Sequence, residues 1–208
     1  MSSRANGVGK IVIVSSPSGG GKTSITQRLL KKHKQDDWRF SVSVTTRPIR
    51  GNERDGREYH FRTSSEFAQM RAAGKFAESC RVHRYLYGTL KSELERTIKS
   101  GGVILLDIDV KGAAKIKRAY PQAVSIFILP PSKVELRRRL KARGTETKAQ
   151  LRTRLENSLA EMKEYRRFDY TVVNDRLDVA AHTVECIIES SHALKKYLDT
   201  ERIERIIG

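Results

Sequence analysis

The segment at residues 15–23 contains residue types that could bind a triphosphate. Its glycines would let the backbone curl so that successive N–H groups point at phosphate oxygens. Lys22 could then reach the β- and γ-phosphates, and the Thr23 hydroxyl could ligate Mg²⁺. Ser16 stands where the strict form of this loop has its first glycine. The pattern predicts a nucleoside triphosphate site and leaves motor protein, GTPase and kinase all open.

A second group of phosphate-binding side chains is predicted in residues 40–88. The segment carries Arg47, Arg50, Arg54, Arg57 and Arg62 near its start, and Arg47 and Arg50, three apart with a proline between them, suit a rigid phosphate-binding turn. The planar guanidinium of arginine binds a phosphate dianion through two hydrogen bonds, whereas lysine acts as a point charge. Tyr59 and Tyr87 could each donate a phenolic hydrogen bond to the same group. A solvated basic rim is the alternative interpretation.

Three acidic residues could bind a nucleotide base or a metal ion. Glu78 could accept the adjacent N1–H and N2 amino donors of guanine, which adenine does not offer as a pair. On its own, Glu78 could equally be a surface residue on an edge strand. Asp107 and Asp109 follow the apolar run 103–106, and the carboxyl end of such a strand faces the ligand crevice. Either could hold Mg²⁺, and a simple turn is the alternative.

Elements that would position these side chains follow from apolar periodicity. The predicted strands are 11–15, 103–107, 125–129 and 170–173. The predicted helices are 23–33, 110–118, 132–142, 148–165 and 177–198, and Ser132 with Glu135 predicts a capping box at one of them. Strands that alternate with helices predict a doubly wound, parallel α/β sheet.

We expect one domain over residues 1–208, with a core at 10–39 and 89–208. The segment 40–88 breaks the α/β rhythm with turn signals and one helix near 64–73, which predicts an inserted antiparallel subdomain. The basic stretch 137–148 predicts a mobile loop within a lid at about 137–155.

The composition of the chain excludes some classes of protein and favours others. The 208 residues include 41 Lys and Arg against 24 Asp and Glu, so the net charge is +17 and an anionic partner is expected. No apolar run approaches the roughly 18 residues of a membrane span, and no signal peptide is recognisable. Cys80 and Cys186 have no metal-like spacing, which favours ordinary buried or half-buried thiols and a cytoplasmic location. No basic motif interleaved with aromatics predicts a dedicated nucleic-acid site. The oligomeric state stays open.

Several separated motifs, in this order, resemble the guanylate kinase family over about residues 10–183. They are the phosphate loop 15–23, Thr45-Thr46-Arg47 with Arg50, Glu53 and Tyr59, Phe76-Ala77-Glu78, Tyr87-Gly88-Thr89, Leu106-Asp107-Ile108-Asp109, Arg139 to Arg143-Gly144-Thr145-Glu146-Thr147, and Val173-Asn174-Asp175. The resemblance implies a P-loop fold and transfer of the γ-phosphate of MgATP to GMP, and to dGMP. Ser16 and Lys111 depart from the usual family pattern, without touching a residue on which the chemistry depends.

Site roles also follow from the resemblance. Residues implied at GMP are Ser43, Arg47, Arg50, Glu53, Tyr59, Glu78, Tyr87, Thr89 and Asp107. Residues implied at ATP are Ser16, Pro17, Ser18, Gly19, Gly20, Gly21, Lys22, Thr23 and Ser24, with Asn174 near adenine. Residues expected to act on the transferred group are Lys22, Arg47, Arg139, Arg143 and Arg154. Residues expected near Mg²⁺ are Thr23, Asp107 and Asp109.

Three alternatives remain beside this interpretation. A different acceptor, such as a ribose bisphosphate, could occupy the same scaffold, although Ser43 with Glu78 favours a base-reading site. A guanylate-kinase-like binding module is disfavoured because Lys22 and Thr23 are present. A nucleic-acid-binding protein would account for the charge, and a secondary, salt-sensitive affinity for RNA or DNA is compatible with it.

Overall fold

The computed structural model describes residues 9–82, 84–142 and 148–197. The strands are β1 (Lys10–Ser15), β2 (Trp38–Phe40), β3 (Val44–Thr45), β4 (His60–Phe61), β5 (Phe76–Val82), β6 (Tyr85–Leu90), β7 (Val103–Asp107), β8 (Val124–Leu129) and β9 (Tyr170–Val173). The helices are α1 (Lys22–Lys32), α2 (Ser64–Ala72), α3 (Lys91–Ser100), α4 (Val110–Ala119), α5 (Lys133–Lys141), α6 (Lys148–Met162) and α7 (Leu177–Tyr197), with a 3₁₀ helix at Lys163–Arg167.

A five-stranded parallel sheet in the order β2-β7-β1-β8-β9 forms the centre of the molecule. The four strands predicted for the core all belong to it. Because β1 lies between β7 and β8, the chain leaves β1 toward β2 on one side and later reaches β8 and β9 on the other. Such a reversal of strand order opens a crevice at the carboxyl ends of the strands.

Both faces of the sheet are covered by helices. In β1, Val12 and Val14 pack on one face in a cluster that includes Ile25 of α1 and Val184 of α7. Ile11 and Ile13 point to the other face, in a cluster with residues of α3 and α4. This period-2 alternation with both faces buried explains why β1 reads as a continuous apolar run. The predicted doubly wound architecture is confirmed.

A second sheet, in the order β4-β3-β6-β5, follows β2 in the chain. It is mixed: β6 pairs antiparallel with β3 and with β5, whereas β3 and β4 are parallel. The antiparallel expectation therefore holds for two of its three strand pairs. Because β3 and β4 contribute only two residues each, they carry little hydrophobic pattern from which their direction could be read.

Capping at two helices differs from the sequence prediction. Ser132 accepts a hydrogen bond from the Glu135 backbone N–H at the start of α5. The Glu135 carboxylate, however, accepts from Arg138 and Arg139, so half of the predicted capping box forms. A complete box occurs at α2, between Thr63 and Glu66.

Element boundaries also correct several expectations. Helix α5 continues to Lys141, so the first residues of the stretch expected as a mobile loop, 137–141, are helical. Helix α3 and strand β2 were not predicted. Cys80 is half-buried and Cys186 is exposed, so the second thiol lies more open than expected. Among the helices described, none has the length and apolarity needed to cross a membrane.

Candidate active site

The phosphate loop joins β1 to α1 through two backbone positions that require glycine. Gly19 and Gly21 have φ angles of +87° and +94°, which L side chains rarely adopt. Gly21 is also the N-cap residue of α1, and its carbonyl accepts from the Ile25 N–H at 3.2 Å. The helix therefore begins directly at the loop, and the positive end of its dipole faces the curled backbone of the loop.

Close packing imposes a second requirement on Gly21. A Cβ atom at this position would lie 2.0 Å from Nδ2 of Asn174. Asn174 is buried, and its Nδ2 donates to the Gly20 carbonyl at 3.0 Å. The residue expected near adenine thus also supports the backbone of the phosphate loop.

Helix α6 contacts the loop from the opposite side through one helical face. Arg154 Nε donates to Ser18 Oγ at 2.9 Å, and Ser158 Oγ donates to the Ser18 carbonyl at 3.3 Å. The Ser18 N–H lies 3.4 Å from a Glu161 carboxylate oxygen. Ser158 and Glu161 were not predicted, although their spacing of four and seven residues from Arg154 is the signature of a shared helical face.

The lid arginines divide between described and undescribed parts of the chain. Arg139 Nη2 donates to the Asn174 carbonyl at 3.0 Å, and its Nε pairs with Glu135 at 2.7 Å. Arg139 and Arg154 therefore both lie beside the phosphate loop. Arg143 lies outside the described residues.

Lys22 forms an ion pair with Asp107. The two side chains meet because β1 and β7 are parallel neighbours, with Val14 in register with Asp107. Asp109 has a different position: it is the N-cap of α4, and its Oδ1 accepts from the Gly112 N–H at 2.7 Å. Of the two acids that sequence reasoning could not separate, Asp107 is the one at the phosphate loop.

Two adjoining clefts extend from Asp107 toward the second sheet. The first encloses about 330 Å³ and the second about 210 Å³. Residues that line both clefts are Ser43, Tyr59 and Asp107. Thr23 lines the first cleft, and Glu78, Cys80, Tyr87 and Asp109 line the second. Cys80 was not predicted, although it shares a face of β5 with Glu78 by the two-residue period of a strand.

Arg47 is held at the rim of these clefts by Glu53. Its Nη2 lies 2.7 Å from Glu53 Oε1, and its guanidinium carbon lies 5.2 Å from the centroid of the Tyr59 ring. The hydrogen bond that Arg47 donates to Glu53 raises the pKa of Arg47, and the same bond lowers the pKa of the Glu53 carboxyl. Arg50 donates its backbone N–H to Glu53 at 2.9 Å, while its side chain is exposed.

Glu78 has one satisfied and one unsatisfied carboxylate oxygen. The residue is buried, with 6% exposure. Thr89 Oγ1 donates to Glu78 Oε1 at 3.0 Å, whereas Oε2 has no hydrogen-bond partner among the residues described. Burial raises the pKa of Glu78 above its ordinary value. A buried acceptor without a partner is costly, and it marks a position where a donor from a bound molecule would fit.

Tyr59 is a neutral hydrogen-bond donor in the cleft. Burial, followed by the negative charge of Asp107, raises its pKa to about 12. The ring meets Tyr87 edge-on, with centroids 5.9 Å apart. Both hydroxyls belong to the same rim as Arg47. Burial also raises the pKa of Cys80 to about 12, so this thiol stays protonated.

The two clefts bring together seven of the predicted site residues, namely Thr23, Ser43, Tyr59, Glu78, Tyr87, Asp107 and Asp109. Lys22, Arg47 and Thr89 contact these lining residues through Asp107, Tyr59 and Glu78. Arg50 and Ser24 are exposed and do not line either described cleft.

A parallel sheet with a glycine-rich loop after its first strand, facing a separate mixed sheet, is the P-loop nucleoside monophosphate kinase fold. A crystal structure of guanylate kinase from Anaplasma phagocytophilum superimposes with a TM-score of 0.74 at 32% identity, covering 89% of this chain and 87% of that one. The guanylate kinase family model matches residues 8–191. The chain belongs to the guanylate kinase family.

Curated relatives agree with this assignment. A guanylate kinase of Thermotoga maritima is 44% identical over 95% of this chain and 94% of its own length. One from Photorhabdus laumondii is 44% identical over 96% of each. The resemblance seen in the sequence is confirmed, and the chain is a kinase.

Proposed function

We propose that the chain transfers the γ-phosphate of MgATP to GMP, and to dGMP, giving ADP and GDP or dGDP for guanine nucleotide metabolism. The observation that carries the proposal is the buried Oε2 of Glu78, which has no partner within the described part of the chain and lies in a cleft beside the phosphate loop. The free cysteines, Cys80 and Cys186, are compatible with action in the cytoplasm.

Guanine recognition is assigned to Glu78 with Ser43 and Thr89. A guanine base would offer its N1–H and N2 amino group to the carboxylate, and the Thr89 hydroxyl already holds the other oxygen in place. Adenine has an acceptor at N1 and no 2-amino group, so it would leave Glu78 buried without a donor. Such a site rejects the wrong base by roughly 10⁴-fold.

The acceptor phosphate would bind at Arg47, Tyr59 and Tyr87. Glu53 holds the Arg47 guanidinium in one orientation, so less side-chain freedom is lost on binding. The rings of Tyr59 and Tyr87 meet edge-on in the same cleft, and each hydroxyl could donate to the phosphate. Arg50 is exposed, and its side chain would have to turn toward the phosphate.

The donor triphosphate would occupy the loop of Ser16, Pro17, Ser18, Gly19, Gly20, Gly21, Lys22, Thr23 and Ser24. Backbone N–H groups and the N-terminus of α1 would contact the β-phosphate. Lys22 would exchange its contact with Asp107 for the β- and γ-oxygens. Asn174 would face the adenine side of the loop while supporting Gly20.

The residues present fit a Mg²⁺ ion. A threonine hydroxyl and a carboxylate are hard oxygen donors of the kind that Mg²⁺ takes, together with substrate phosphates. Thr23 and Asp107 line the same cleft, whereas Asp109 Oδ1 is occupied in capping α4. We therefore assign Thr23 and Asp107 to the ion, which would neutralise phosphate charge.

Phosphoryl transfer would be promoted mainly by positioning and by positive charge. The segment 40–88 would carry the acceptor, and the core at 10–39 and 89–208 the donor. Arg139, Arg143 and Arg154, from the lid at about 137–155, would contact the equatorial oxygens and exclude water. No general base is required if the GMP phosphate enters as a dianion.

An ADP-release assay with MgATP and GMP, AMP, CMP, UMP or dTMP at matched concentrations tests the proposal. We expect turnover with GMP and at most trace turnover with the other four. Turnover with none of them, despite ATP binding, would reject GMP phosphorylation and favour another acceptor or a binding role. The variant Arg143→Ala should lower kcat, since this arginine is assigned to the transferred group.

A further inference from the structure

A second group of ligating side chains lies far from the phosphate loop, where the end of α1 meets α7. His33 follows the last turn of α1, and Glu185 and Glu189 lie one turn apart on α7. One ligand atom from each of these three residues falls within 4.8 Å of the others. We call this group the α1–α7 cluster. Helix α1 has 11 residues, which places the cluster about 16 Å from the loop.

The ring of His33 is fixed on three sides. Its Nδ1 lies 2.6 Å from Asp36 Oδ2, and its Nε2 lies 2.5 Å from Glu185 Oε1. Trp38 stacks on the ring, with centroids 4.0 Å apart and an interplanar angle of 8°. Both ring nitrogens of His33 therefore face a carboxylate oxygen in a fixed orientation.

Two carboxylates on one imidazole impose a chemical condition. A neutral imidazole has a single N–H, and a carboxylate only accepts. If the single N–H is the one at Nδ1, directed at Asp36, the Nε2 lone pair faces a Glu185 oxygen, and a metal ion placed between these two groups would satisfy both. A carboxylate that accepts from one ring nitrogen while the other binds a metal is the usual outer shell of a metal-binding histidine.

We propose that His33, Glu185 and Glu189 bind a divalent transition-metal ion of the zinc class, with Asp36 orienting the imidazole. The ion would lie between Nε2 of His33 and the Glu185 carboxylate, and a proton on Nε2 would leave to solvent. Imidazole with carboxylates suits zinc or cobalt better than Mg²⁺ or Ca²⁺, which prefer oxygen ligands alone. Ligand atoms around tetrahedral zinc are about 3.4 Å apart, so His33 and Glu185 must separate by about 1 Å.

The local charge favours a cation. Asp36, Glu185 and Glu189 bring three carboxylates, and Lys32 pairs with the far oxygen of Glu185 at 2.7 Å. Glu185 is 4% exposed, and its two carboxylate oxygens face Lys32 on one side and the His33 ring on the other.

An open path leads to the cluster. A cleft of about 340 Å³ is lined by His33, Asp36, Trp38 and Glu189. Glu189 is exposed at its edge, so the ion can exchange from solvent and retain water in a fourth position. The ion would join the end of α1 to α7, and it is not required by the phosphate-transfer chemistry.

Cobalt binding tests the proposal directly. Chelator-treated full-length protein is titrated with Co²⁺, and the visible absorption of the tetrahedral ion is followed, with Zn²⁺ then added to displace it. We expect one ion per chain and a rise in the thermal unfolding midpoint with Zn²⁺.

Glu189→Gln removes an exposed ligand with little risk to folding, and should weaken binding about 10-fold or more. Asp36→Asn should weaken it about 10- to 100-fold, the range for outer-shell partners.

A competing pair of ligands lies nearby on the exposed side of α7 and needs its own control. Cys186 Sγ is 3.6 Å from Nε2 of His182. Cys186→Ser should leave the Co²⁺ spectrum and affinity unchanged. If Cys186→Ser abolishes binding while Glu189→Gln does not, the ion sits on the exposed pair and the proposal is wrong. Absence of saturable Co²⁺ or Zn²⁺ binding also overturns it. Kinase activity serves as an independent check that each variant is folded.

Discussion

Lys22 of the phosphate loop forms an ion pair with Asp107 at the carboxyl end of β7, 85 positions later in the numbering of the chain. Both side chains are largely shielded, with 17% and 23% exposure. The pair exists because β1 and β7 are parallel neighbours whose carboxyl ends meet at one edge of the sheet. The pair keeps the ammonium group beside the phosphate loop, and the proposed binding of the triphosphate would replace this contact.

Replacement of Lys22 by Met should lower kcat by about 10³-fold, because the positive charge on the transferred group is lost. The measurement is steady-state ADP release with GMP. Lys31→Met, in the last turn of the same helix, removes one positive charge at a distance and should retain near-normal turnover. Equal rates for Lys22→Met and the wild type would contradict the assigned role.

Replacement of Glu78 by Gln should lower kcat/KM for GMP by about 10²-fold or more, and should reduce the preference for GMP over AMP. The amide offers one acceptor where the carboxylate offers two, so the paired donors of guanine lose a partner. Glu95→Gln on the exposed side of α3 is the matched control. Unchanged discrimination between the two bases would remove Glu78 from the guanine site.

The stability of the ligand-free protein should depend on pH through Glu78. Its pKa is raised by burial from an ordinary value of 4.5, so the folded chain binds this proton more tightly than the unfolded chain. The contribution of Glu78 to the free energy of unfolding therefore falls as pH rises above about 4.5. In urea unfolding, the free energy of unfolding of Glu78→Gln should rise relative to that of the wild type between pH 4 and 7. The size of the change should match the pKa shift of a single carboxyl group. A constant difference across that range would refute the prediction.

Arg47 and Glu53 should act as a unit toward the acceptor phosphate. Arg47→Lys retains the charge but loses the planar fork, and it should raise KM for GMP by about 10-fold or more, the scale of one charged hydrogen bond. Glu53→Gln should raise KM less, because it loosens Arg47 without removing it. In a double-mutant cycle, the second change should add little to the first. Fully additive effects would mean that Glu53 does not orient Arg47.

Replacement of Gly21 by Ala should destabilise the fold by about 2 kcal/mol or more and abolish activity. A φ of +94° costs an L residue about 1–2 kcal/mol, and the added Cβ also meets Asn174. Gly51→Ala is the matched control, because its φ is also positive, at +49°, while nothing lies within 4 Å of the added atom. Thermal unfolding of both variants separates backbone strain from the clash. Equal destabilisation would show that the contact with Asn174 is unimportant.

Local pattern in the sequence was sufficient for the core strands and most helices. Residues 11–14 are continuously apolar because both faces of β1 are buried, and the Gly-Gly-Gly-Lys-Thr run indicates a loop whose backbone angles favour glycine. These features depend on residues that are close together in the chain, so the composition and spacing of the sequence are enough to predict them. Strands β3 and β4, with two residues each, are too short for a pattern to show their direction.

Contacts between distant segments were decided by the tertiary structure. The sequence could not choose between Asp107 and Asp109, because both follow the same apolar run. The sheet register puts Asp107 beside Lys22, and the start of α4 uses Asp109 as its cap. Likewise, the sequence offered Glu78 as a base reader or a surface acid. Its burial against Thr89 and α4 arises only when β5, β6 and α4 pack together, and it leaves one oxygen without a partner from the residues that the structure describes. Residue types can be read from the chain, whereas burial and pairing depend on which segments the fold brings into contact.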